Sequence, residues 1–381
     1  MNNTLKLKEC CTIIAGQSPE SKYYNSKGEG LPFFQGKADF GALYPNIRIY
    51  CSQPTKIAEK DDILLSVRAP VGPTNLSPGK VCIGRGLTAI RPGSSISLEY
   101  LLYFFRYYEA QLQKSGTGTT FKAITQNVIK NIEVPVPSLD EQERIVFKIE
   151  ELFSKLDASV AELKTAKEKL KVYRQAVLKE AFSTCEKYTK ISDVCQHVTD
   201  GDHMPPPKAD YGIPFIMISS IEKAHINWEN TKYVTENYYE AIGELRTPRK
   251  GDILYTVTGS FGIPVMVDTD KKFCFQRHIA LLRPNAKITQ KYLFYVLQTP
   301  HVYTQASKKA TGTAQKTVGL SVLRNITIPY CSAEKQMRIV EFLEQHLTTC
   351  DSIEHAVDAS LQQAEALRQS ILKQAFEGRL N

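Results

Sequence analysis

The sequence lacks any run of about 18 consecutive apolar residues, the length that a helix needs to cross a membrane. Its first residues, MNNTLKLKECCTII, also lack the charged start and the continuous apolar core of a secretory signal. The composition is otherwise that of a folded protein, with 42% hydrophobic and 23% charged residues. We therefore expect a cytoplasmic chain, and its 381 residues predict two or more domains.

Motifs for metal and nucleotide chemistry are also missing. The nine cysteines contain no C-x-x-C pair and the seven histidines contain no H-E-x-x-H motif, so we predict buried thiols rather than a metal site. The only glycine-rich run that resembles a nucleotide-binding loop, Gly72 to Lys80, is wrongly spaced and is followed by Val81. We expect no metal and no cofactor in this chain.

The main feature that is present is an internal repeat. Four blocks recur in the same order: DDILLSVRAPVG (61–72) returns as GDILYTVTGSFG (251–262), RGLTAIRP (85–92) as RHIALLRP (277–284), Thr117-Gly118-Thr119 as Thr311-Gly312-Thr313, and Ala181-Phe182 as Ala375-Phe376. The spacing grows from 190 to 192 and then to 194 residues, which short loop insertions explain. The sequence therefore predicts two copies of one structural plan.

Each copy begins with a part that has the character of a globular domain. Residues 1–138 and 188–331 are rich in glycine and proline and contain short apolar or alternating runs that are typical of strands. One helix is predicted in each, near Leu98 to Tyr108 and near Gln290 to Gln298. The expected fold class is α/β, with two mixed, largely β domains related by an internal pseudo-two-fold repeat.

Each copy ends in a part that predicts one long helix, residues 139–187 and 332–381. Ser138 and Glu141 match a helix-capping box, and a heptad seam follows. About 40 residues of helix would extend about 60 Å. Because both seams lie in one chain, we expect the two helices to pair as an antiparallel coiled coil, although the seams could also bind helices of other subunits. The candidate partner-binding residues are Ile145, Ile149, Leu152, Leu156, Ile339, Leu343, Ile353 and Leu367.

Positive charge is confined to the globular parts. Lysine and arginine minus aspartate and glutamate gives +6 for residues 1–138, 0 for 139–187, +5 for 188–331 and −3 for 332–381. The loops KSGTGTTFK (114–122) and KKATGTAQK (308–316) combine terminal lysines with hydroxyl groups and a glycine. Such loops allow backbone N–H groups to approach phosphates closely. We therefore favour a nucleic-acid backbone over ATP as the ligand.

These blocks, in this order and twice over, resemble the specificity subunit of type I DNA restriction-modification systems along essentially the full length. The residues that carry the resemblance are the two G-D-I-L-type blocks (61–72 and 251–262), the T-G-T loops, and the segments Val128 to Pro135 and Leu323 to Pro329 that follow them. The E-Q-x-x-I start of the first long helix, Glu141 to Ile145, completes the set. The second helix departs from this pattern and opens with Glu334-Lys335-Gln336.

The resemblance implies two target-recognition domains that each read half of a split site in double-stranded DNA, with the helices fixing the length of an unread spacer. It implies two modification subunits that bind S-adenosylmethionine and methylate adenine, and restriction subunits that use ATP and Mg²⁺ to cleave DNA. This chain would be non-catalytic, and indeed it contains no N-P-P-Y or D-P-P-Y methylation signature. Two alternatives are a protein-interaction scaffold with basic domains and a fused enzyme, for which motifs are missing.

We expect lysines and arginines near the T-G-T loops to hold phosphates and side chains of variable loops to read base edges. The candidates for contact with DNA are Lys22, Tyr23, Tyr24, Lys37, Arg68, Arg85, Lys114, Thr117, Thr119, Thr120 and Lys122 in the first domain, and Lys208, Tyr211, Tyr255, Thr258, Ser260, Arg277, Lys308, Lys309, Thr311, Thr313 and Lys316 in the second. Two alternatives stay open: Tyr23 and Tyr24 could pack under a loop, and Arg85 or Arg277 could form a structural ion pair.

Overall fold

A computed structural model describes residues 3–116, 123–203, 206–207, 209–222, 224–313 and 315–380. The chain divides into two compact units. Unit 1 comprises Met1–Leu163 and Ala359–Asn381, and unit 2 comprises Lys164–Asp358. Each unit therefore contains a globular part together with a segment of each long helix. Among the described residues, none of the helices combines the length and apolar character needed to cross a membrane.

Unit 1 contains the first eleven strands. They are β1 (Asn3–Lys6), β2 (Cys11–Ala15), β3 (Tyr24–Asn25), β4 (Leu31–Phe34), β5 (Tyr50–Cys51), β6 (Ile57–Ala58), β7 (Ile63–Ser66), β8 (Thr74–Leu76), β9 (Val81–Ile83), β10 (Leu87–Pro92) and β11 (Glu133–Val136). The helices of this half of the chain are α1 (Leu7–Cys10), α2 (Leu98–Ser115), α3 (Gln126–Lys130) and the long α4 (Leu139–Ser183). The sheets have the orders β2-β10-β7-β8, β3-β5-β4-β9-β6 and β1-β11, and within them β4 and β9 run parallel.

Unit 2 contains the remaining strands. They are β12 (Lys187–Lys190), β13 (Cys195–Asp200), β14 (Ile213–Ile216), β15 (Ile221–Glu222), β16 (His225–Ile226), β17 (Lys232–Val234), β18 (Ile253–Thr256), β19 (Pro264–Met266), β20 (Cys274–Phe275), β21 (Ile279–Pro284) and β22 (Thr327–Tyr330). The helices are α5 (Ile191–Val194), α6 (Glu236–Ala241), α7 (Gln290–Leu297), α8 (Pro300–Lys309), α9 (Leu320–Arg324) and the long α10 (Ala333–Phe376). The sheets are β13-β21-β18-β19, β17-β14-β20, β12-β22 and β15-β16, with β14 and β20 parallel.

In each four-stranded sheet, one of the two central strands, β7 or β18, is buried on both faces, because its alternate side chains enter different cores. In β7, Ile63 and Leu65 join a core with α2, whereas Leu64 faces the second sheet. In β18, Ile253 joins the core with α7, whereas Leu254 faces the other cluster. The predicted mixed α/β fold with an internal repeat is confirmed.

Two interhelical ion pairs show that α4 and α10 run antiparallel in unit 2, and a third pair joins the same helices in unit 1. In unit 2, Lys167 pairs with Asp358 at 2.5 Å and Arg174 pairs with Asp351. In unit 1, Arg368 pairs with Asp157. The pairs Arg174–Asp351 and Asp157–Arg368 are equivalent in the internal repeat, because Asp351 lies 194 residues after Asp157 and Arg368 lies 194 residues after Arg174. The predicted pair of long antiparallel helices is therefore confirmed.

The seam residues differ in burial. Ile149, Ile339 and Leu343 are buried, Ile145, Leu152 and Leu156 are half-buried, and Ile353 and Leu367 are 44% and 51% exposed. Within unit 1, Ile149 belongs to the same hydrophobic core as Leu372 of α10. The buried seam residues thus pack inside the units. Contact of the seam residues with other subunits stays a prediction.

A buried glutamine fixes the start of each long helix on its globular part. The Gln142 amide donates to the carbonyl oxygens of Ser95 and Pro137 at 2.9 Å each and accepts from the Ser97 N–H at 2.8 Å. Gln336 makes the same three kinds of bond, to Thr289, Lys287 and Cys331. Both side chains are almost completely buried. The repeat therefore preserves a hydrogen-bonded joint and not only a core.

Replacing Gln142 with alanine is expected to destabilise unit 1 by about 1–2 kcal/mol, because two carbonyl groups and one N–H in partly buried positions would lose their buried partner. Hydrogen exchange of the first turns of α4 would report the loss as faster exchange. Glu143→Ala is the matched control, since Glu143 is exposed on the next position of the helix. Equal protection in the two variants would contradict the proposed joint.

Candidate nucleic-acid interface

A cleft of about 790 Å³ opens in unit 1 beside the end of β4 and the loop between β9 and β10. It is lined by Ser18, Phe33, Gln35, Gly36, Lys37, Ala38, Asp39, Arg48, Ile49, Arg68, Ala69, Pro70, Arg85 and Gly86. We refer to it as cleft 1. Three of the residues that the sequence predicts as DNA contacts, Lys37, Arg68 and Arg85, meet here although they are distant in the chain.

Cleft 1 is positively charged. Its described lining residues include four cationic side chains and one carboxylate, Asp39, which pairs with Arg48. Lys37, Arg68 and Arg85 are exposed, and in the described part of the chain no carboxylate lies within ion-pair distance of them. Unpaired guanidinium and ammonium groups along one cleft attract phosphate. Among the residues that the structure describes, the Arg85 ion pair that the sequence left open is not formed.

A second cleft, cleft 2, has a volume of about 710 Å³ and lies in unit 2. It is lined by Asp202, His203, Pro206, Pro207, Ala209, Asp210, Phe215, Met217, Thr231, Lys232, Tyr233, Gln276, Arg277 and His278. Among the described lining residues, the cations Lys232 and Arg277 are matched by two carboxylates, and Tyr238 donates a hydrogen bond to Asp202 at 2.8 Å. Arg277 is exposed and has no carboxylate within ion-pair distance in this part of the chain.

The two clefts occupy equivalent places in the repeat. Phe33 of β4 lies beside Cys82 in a parallel pair of strands, and Phe215 of β14 lies beside Cys274 in the same way. The loops after these pairs carry Arg85 and Arg277, which the sequence repeat also aligns. A close approach that both copies share supports the match: a Cβ on Gly16 would lie 2.2 Å from the Gly84 carbonyl oxygen, and one on Gly201 would lie 2.7 Å from that of the equivalent Gln276.

The T-G-T loops adjoin these regions only in part. Thr117, Thr119, Thr120 and Lys122 lie outside the described residues, as does Lys208. Immediately after the first loop, Ala123 forms a bridge with Arg68. In unit 2, the Gly259 N–H donates to the Lys316 carbonyl oxygen at 2.9 Å, and Thr317 bridges both Thr258 and Thr311. The end of each loop therefore runs beside the turn that follows β7 or β18.

Several other candidates of the first domain are engaged in local contacts. Lys22 pairs with Glu20 at 2.7 Å and lies 4.9 Å from the centre of the Tyr23 ring. Tyr24 packs against Phe33 with ring centres 4.7 Å apart and donates its hydroxyl to the Pro19 carbonyl oxygen at 2.8 Å. Tyr23 and Tyr24 are half-buried, as the packing alternative expects. Lys114 is exposed in the last turn of α2.

In the second domain, most candidates are exposed and one is not. The exposed residues are Tyr211, Ser260, Lys308, Lys309, Thr311, Thr313 and Lys316. Thr258 is buried, and its hydroxyl accepts a hydrogen bond from Thr317 at 3.3 Å. Tyr255 is fully buried in β18, and burial raises the pKa of its hydroxyl. The prediction that Tyr255 contacts DNA is therefore wrong, because its ring fills the core behind the turn.

Tyr255→Phe is expected to leave DNA binding unchanged and to stabilise unit 2 slightly or not at all, by at most about 1 kcal/mol. In the described structure the Tyr255 hydroxyl is buried without a hydrogen-bond partner, so its removal relieves the cost of desolvation. Urea unfolding of the two proteins measures the difference. A loss of more than about 1 kcal/mol would show that the hydroxyl has a partner in solution.

The sequence reasoning missed several cleft residues. Gln35 and Arg48 in cleft 1, and His203, Lys232 and His278 in cleft 2, were not among the candidates. Around β4 and β14 the two copies align with a spacing of 182 residues rather than 190, and only a short apolar pair marks the match. A search for the repeat that allowed larger loop insertions would have aligned Phe33-Phe34 with Phe215-Ile216.

The two units are α/β structures of one plan, and each has an exposed cleft whose arginine, Arg85 or Arg277, has no carboxylate within ion-pair distance among the described residues. The chain belongs to the type I restriction modification DNA specificity domain family, whose model matches residues 2–171 and 186–363. Proteins of this family that the chain resembles are specificity subunits of type I restriction-modification systems.

Two relatives illustrate the similarity. The putative type I restriction enzyme MjaX specificity subunit of Methanocaldococcus jannaschii is 45% identical over 138 residues, which cover 36% of this chain and 32% of that protein. The type I restriction enzyme EcoBI specificity subunit of Escherichia coli is 26% identical over 302 residues, which cover 72% of this chain and 64% of that protein. The matched parts thus span less than two thirds of either relative.

Solved structures share the fold. A chain described under "Structural basis underlying complex assembly and conformational transition of the type I R-M system" has a TM-score of 0.76 and 21% identity, covering 99% of this chain and 98% of that one. The HsdS subunit from Thermoanaerobacter tengcongensis has a TM-score of 0.52 and 21% identity, covering 99% and 97%. At this identity the likeness establishes the fold alone.

Proposed function

We propose that this chain reads a bipartite DNA target with an unread spacer and directs adenine methylation and restriction by partner subunits. Unit 1 reads one half-site and unit 2 reads the other. The observation that carries this proposal is the pair of equivalent clefts, which share a scaffold and an exposed arginine but are lined by different side chains. Two different readers in one chain fit a target with two different halves.

The long helices are proposed to set the length of the spacer. The 45 residues of α4 correspond to about 67 Å of helix. The antiparallel ion pairs of Asp157 and Asp351 hold the register of α4 and α10 in both copies of the repeat. A helix pair with a fixed register is a stiff element, and stiffness is the property that a spacer ruler requires.

The chemistry is proposed to reside in partners. Two modification subunits would bind S-adenosylmethionine and transfer methyl groups to adenine, and restriction subunits would use ATP and Mg²⁺. The chain itself would be a non-catalytic subunit. The names of the relatives, which are specificity subunits of type I restriction enzymes, support this division.

Mapping of methylated adenines in the genome of cells with and without this chain tests the proposal. We expect a split motif with adenines on opposite strands and a constant gap, present only when the chain is expressed with its modification subunit. The two halves should change independently when cleft 1 or cleft 2 is altered. A methylation pattern that does not depend on the chain, or a single continuous motif, would contradict the proposal.

A further inference from the structure

Comparison of the two clefts separates residues that the copies share from residues that differ. The shared positions are the floor, Phe33 and Phe215, and the exposed Arg85 and Arg277. The equivalent pairs that differ are Ser18 and His203, Gln35 and Met217, and Gly86 and His278. The internal repeat therefore acts as a matched comparison within one chain.

Arg68 of cleft 1 also has no functional counterpart in unit 2. Its equivalent is Thr258, which is buried and bonded to Thr317 instead of lining cleft 2. Arg68 lies at the start of the turn after β7, beside Ala69 and Pro70, and faces the same cleft as Arg85. One cleft thus contains a shared arginine and an arginine of its own.

A residue that two readers share contacts something that both half-sites share. Bases differ between the halves of an asymmetric target, whereas every half-site presents phosphates. Arginine is suited to either role, because its guanidinium group binds a phosphate or the O6 and N7 atoms of guanine. An arginine that recurs at the same position of both copies is expected to bind a phosphate, whereas an arginine found in one copy alone is expected to bind a base.

We propose, on the basis of the function proposed above, that Arg85 and Arg277 anchor a DNA phosphate in each half-site, whereas the differing positions read bases. In cleft 1 the readers are Gln35 and Arg68. In cleft 2 the readers are His203 and His278. Both anchors follow a strand end that another backbone segment approaches so closely that a Cβ would not fit, at Gly16 for Arg85 and at Gly201 for Arg277. Their side chains are exposed and line the cleft.

Phosphate anchoring makes a specific prediction for the dependence of binding on salt. In the complex of the full chain with its modification subunit, Arg85→Ala should weaken binding to target DNA and to random duplex by the same factor. The slope of log K against log salt concentration should become smaller in magnitude by about one, and by about two for Arg85→Ala with Arg277→Ala. Arg85→Lys should keep most of the slope, because a point charge suffices for a phosphate but not for bidentate contact with a base.

Reader positions make the opposite prediction. Gln35→Met introduces the residue of the equivalent position in cleft 2, and it removes no charge. We expect it to change the preferred bases of one half-site in a selection from random duplexes while the salt slope stays the same. Met217→Gln is the reciprocal variant and should affect only the other half-site.

The outcomes distinguish this inference from the proposed function. If Arg85→Ala changes the base preference of a half-site, or leaves both affinity and salt slope unchanged, Arg85 is not a phosphate anchor even though the chain reads DNA. If the unaltered complex shows no base preference at all, the proposed function itself fails. Random-duplex binding still tests the anchor in that case, because a phosphate contact does not depend on sequence.

Discussion

Asp252→Ala is expected to destabilise unit 2 by about 3–5 kcal/mol, because it would leave the guanidinium group of Arg283 buried without its carboxylate. Asp252 accepts two hydrogen bonds from Arg283, at 2.9 and 2.8 Å, and a third from the Arg249 N–H at 2.8 Å. The side chains of Asp252 and Arg283 are only 3% and 12% exposed. Hydrogen bonding to Asp252 also raises the pKa of Arg283, so the cation stays charged inside the unit.

The repeat supplies a matched comparison for this prediction. Asp62 and Arg91 form the equivalent bidentate pair in unit 1, at 2.7 and 2.8 Å, but the Arg91 side chain is 41% exposed. Water can therefore replace the lost carboxylate, and Asp62→Ala should cost less, about 1–3 kcal/mol.

Urea unfolding of both variants, followed by hydrogen exchange in β7 and β18, measures the two losses separately. Asp270→Ala is the surface control, since Asp270 forms an exposed ion pair with Lys250, and we expect a loss of less than about 0.5 kcal/mol. A larger loss at Asp62 than at Asp252 would contradict the argument, because burial of the arginine would then not determine the cost.

Local signals explain what the sequence predicted well. The helices α2 and α7 begin at Ser97 and Thr289, whose side-chain oxygens accept from the backbone N–H groups of Tyr100 and Tyr292. In both helices the N-cap residue and the residue that donates to it are three positions apart. A short stretch of sequence therefore contains the whole signal for the start of the helix. The same holds for Ser138, which caps the first turn of α4.

The second sheet of each unit could not be predicted in this way. Strands such as β3 and β5 contain two residues each, and a two-residue strand shows no periodicity. Their positions depend on distant partners, as in the pairing of Tyr24 with Cys51 and of Phe33 with Cys82. Because these pairings bring Gln35 and Arg48 to cleft 1, those residues could be found only from the structure.

The error at Tyr255 was avoidable from the sequence. In the repeat, Tyr255 aligns with Leu65, an apolar residue in the middle of a strand-like run. An aromatic residue that aligns with a leucine at such a position indicates a core, and both side chains are in fact fully buried. At this position, alignment with a buried leucine predicts the environment of the tyrosine better than the general preference for aromatic side chains at nucleic-acid interfaces.

The heptad pattern predicted the pairing of the long helices but not the whole of their buried surface. Phe153, Leu178, Val340 and Leu347 are buried although they lie outside the predicted seam. They belong to the hydrophobic cores of the globular parts. The helix ends therefore pack against a globule as well as against each other, and a two-helix pattern describes only one of these two contacts.

Phe376→Ala tests the consequence of this packing and should destabilise unit 1 by about 3–5 kcal/mol. Phe376 is the last residue of α10, yet its ring lies among Tyr100, Phe104 and Tyr107 of α2, with centres 5.1, 5.6 and 5.4 Å away. Removal of the ring leaves a cavity in the core behind the four-stranded sheet of unit 1. Hydrogen exchange should accelerate in α2, while the strands β18 and β21 of unit 2 keep their protection.

Two further variants make this prediction decisive. Leu367→Ala removes an exposed side chain from the same helix and should cost less than about 0.5 kcal/mol. Phe182→Ala alters the equivalent position at the end of α4, where the centres of the Phe182 and Tyr292 rings are 5.3 Å apart. For this variant we expect the loss of hydrogen-exchange protection in unit 2. If Phe376→Ala accelerated hydrogen exchange in α7 as much as in α2, the prediction that this ring stabilises unit 1 specifically would be contradicted. If the effects separate as expected, the unit that holds each cleft depends for its stability on the C-terminal end of one long helix, α10 for unit 1 and α4 for unit 2.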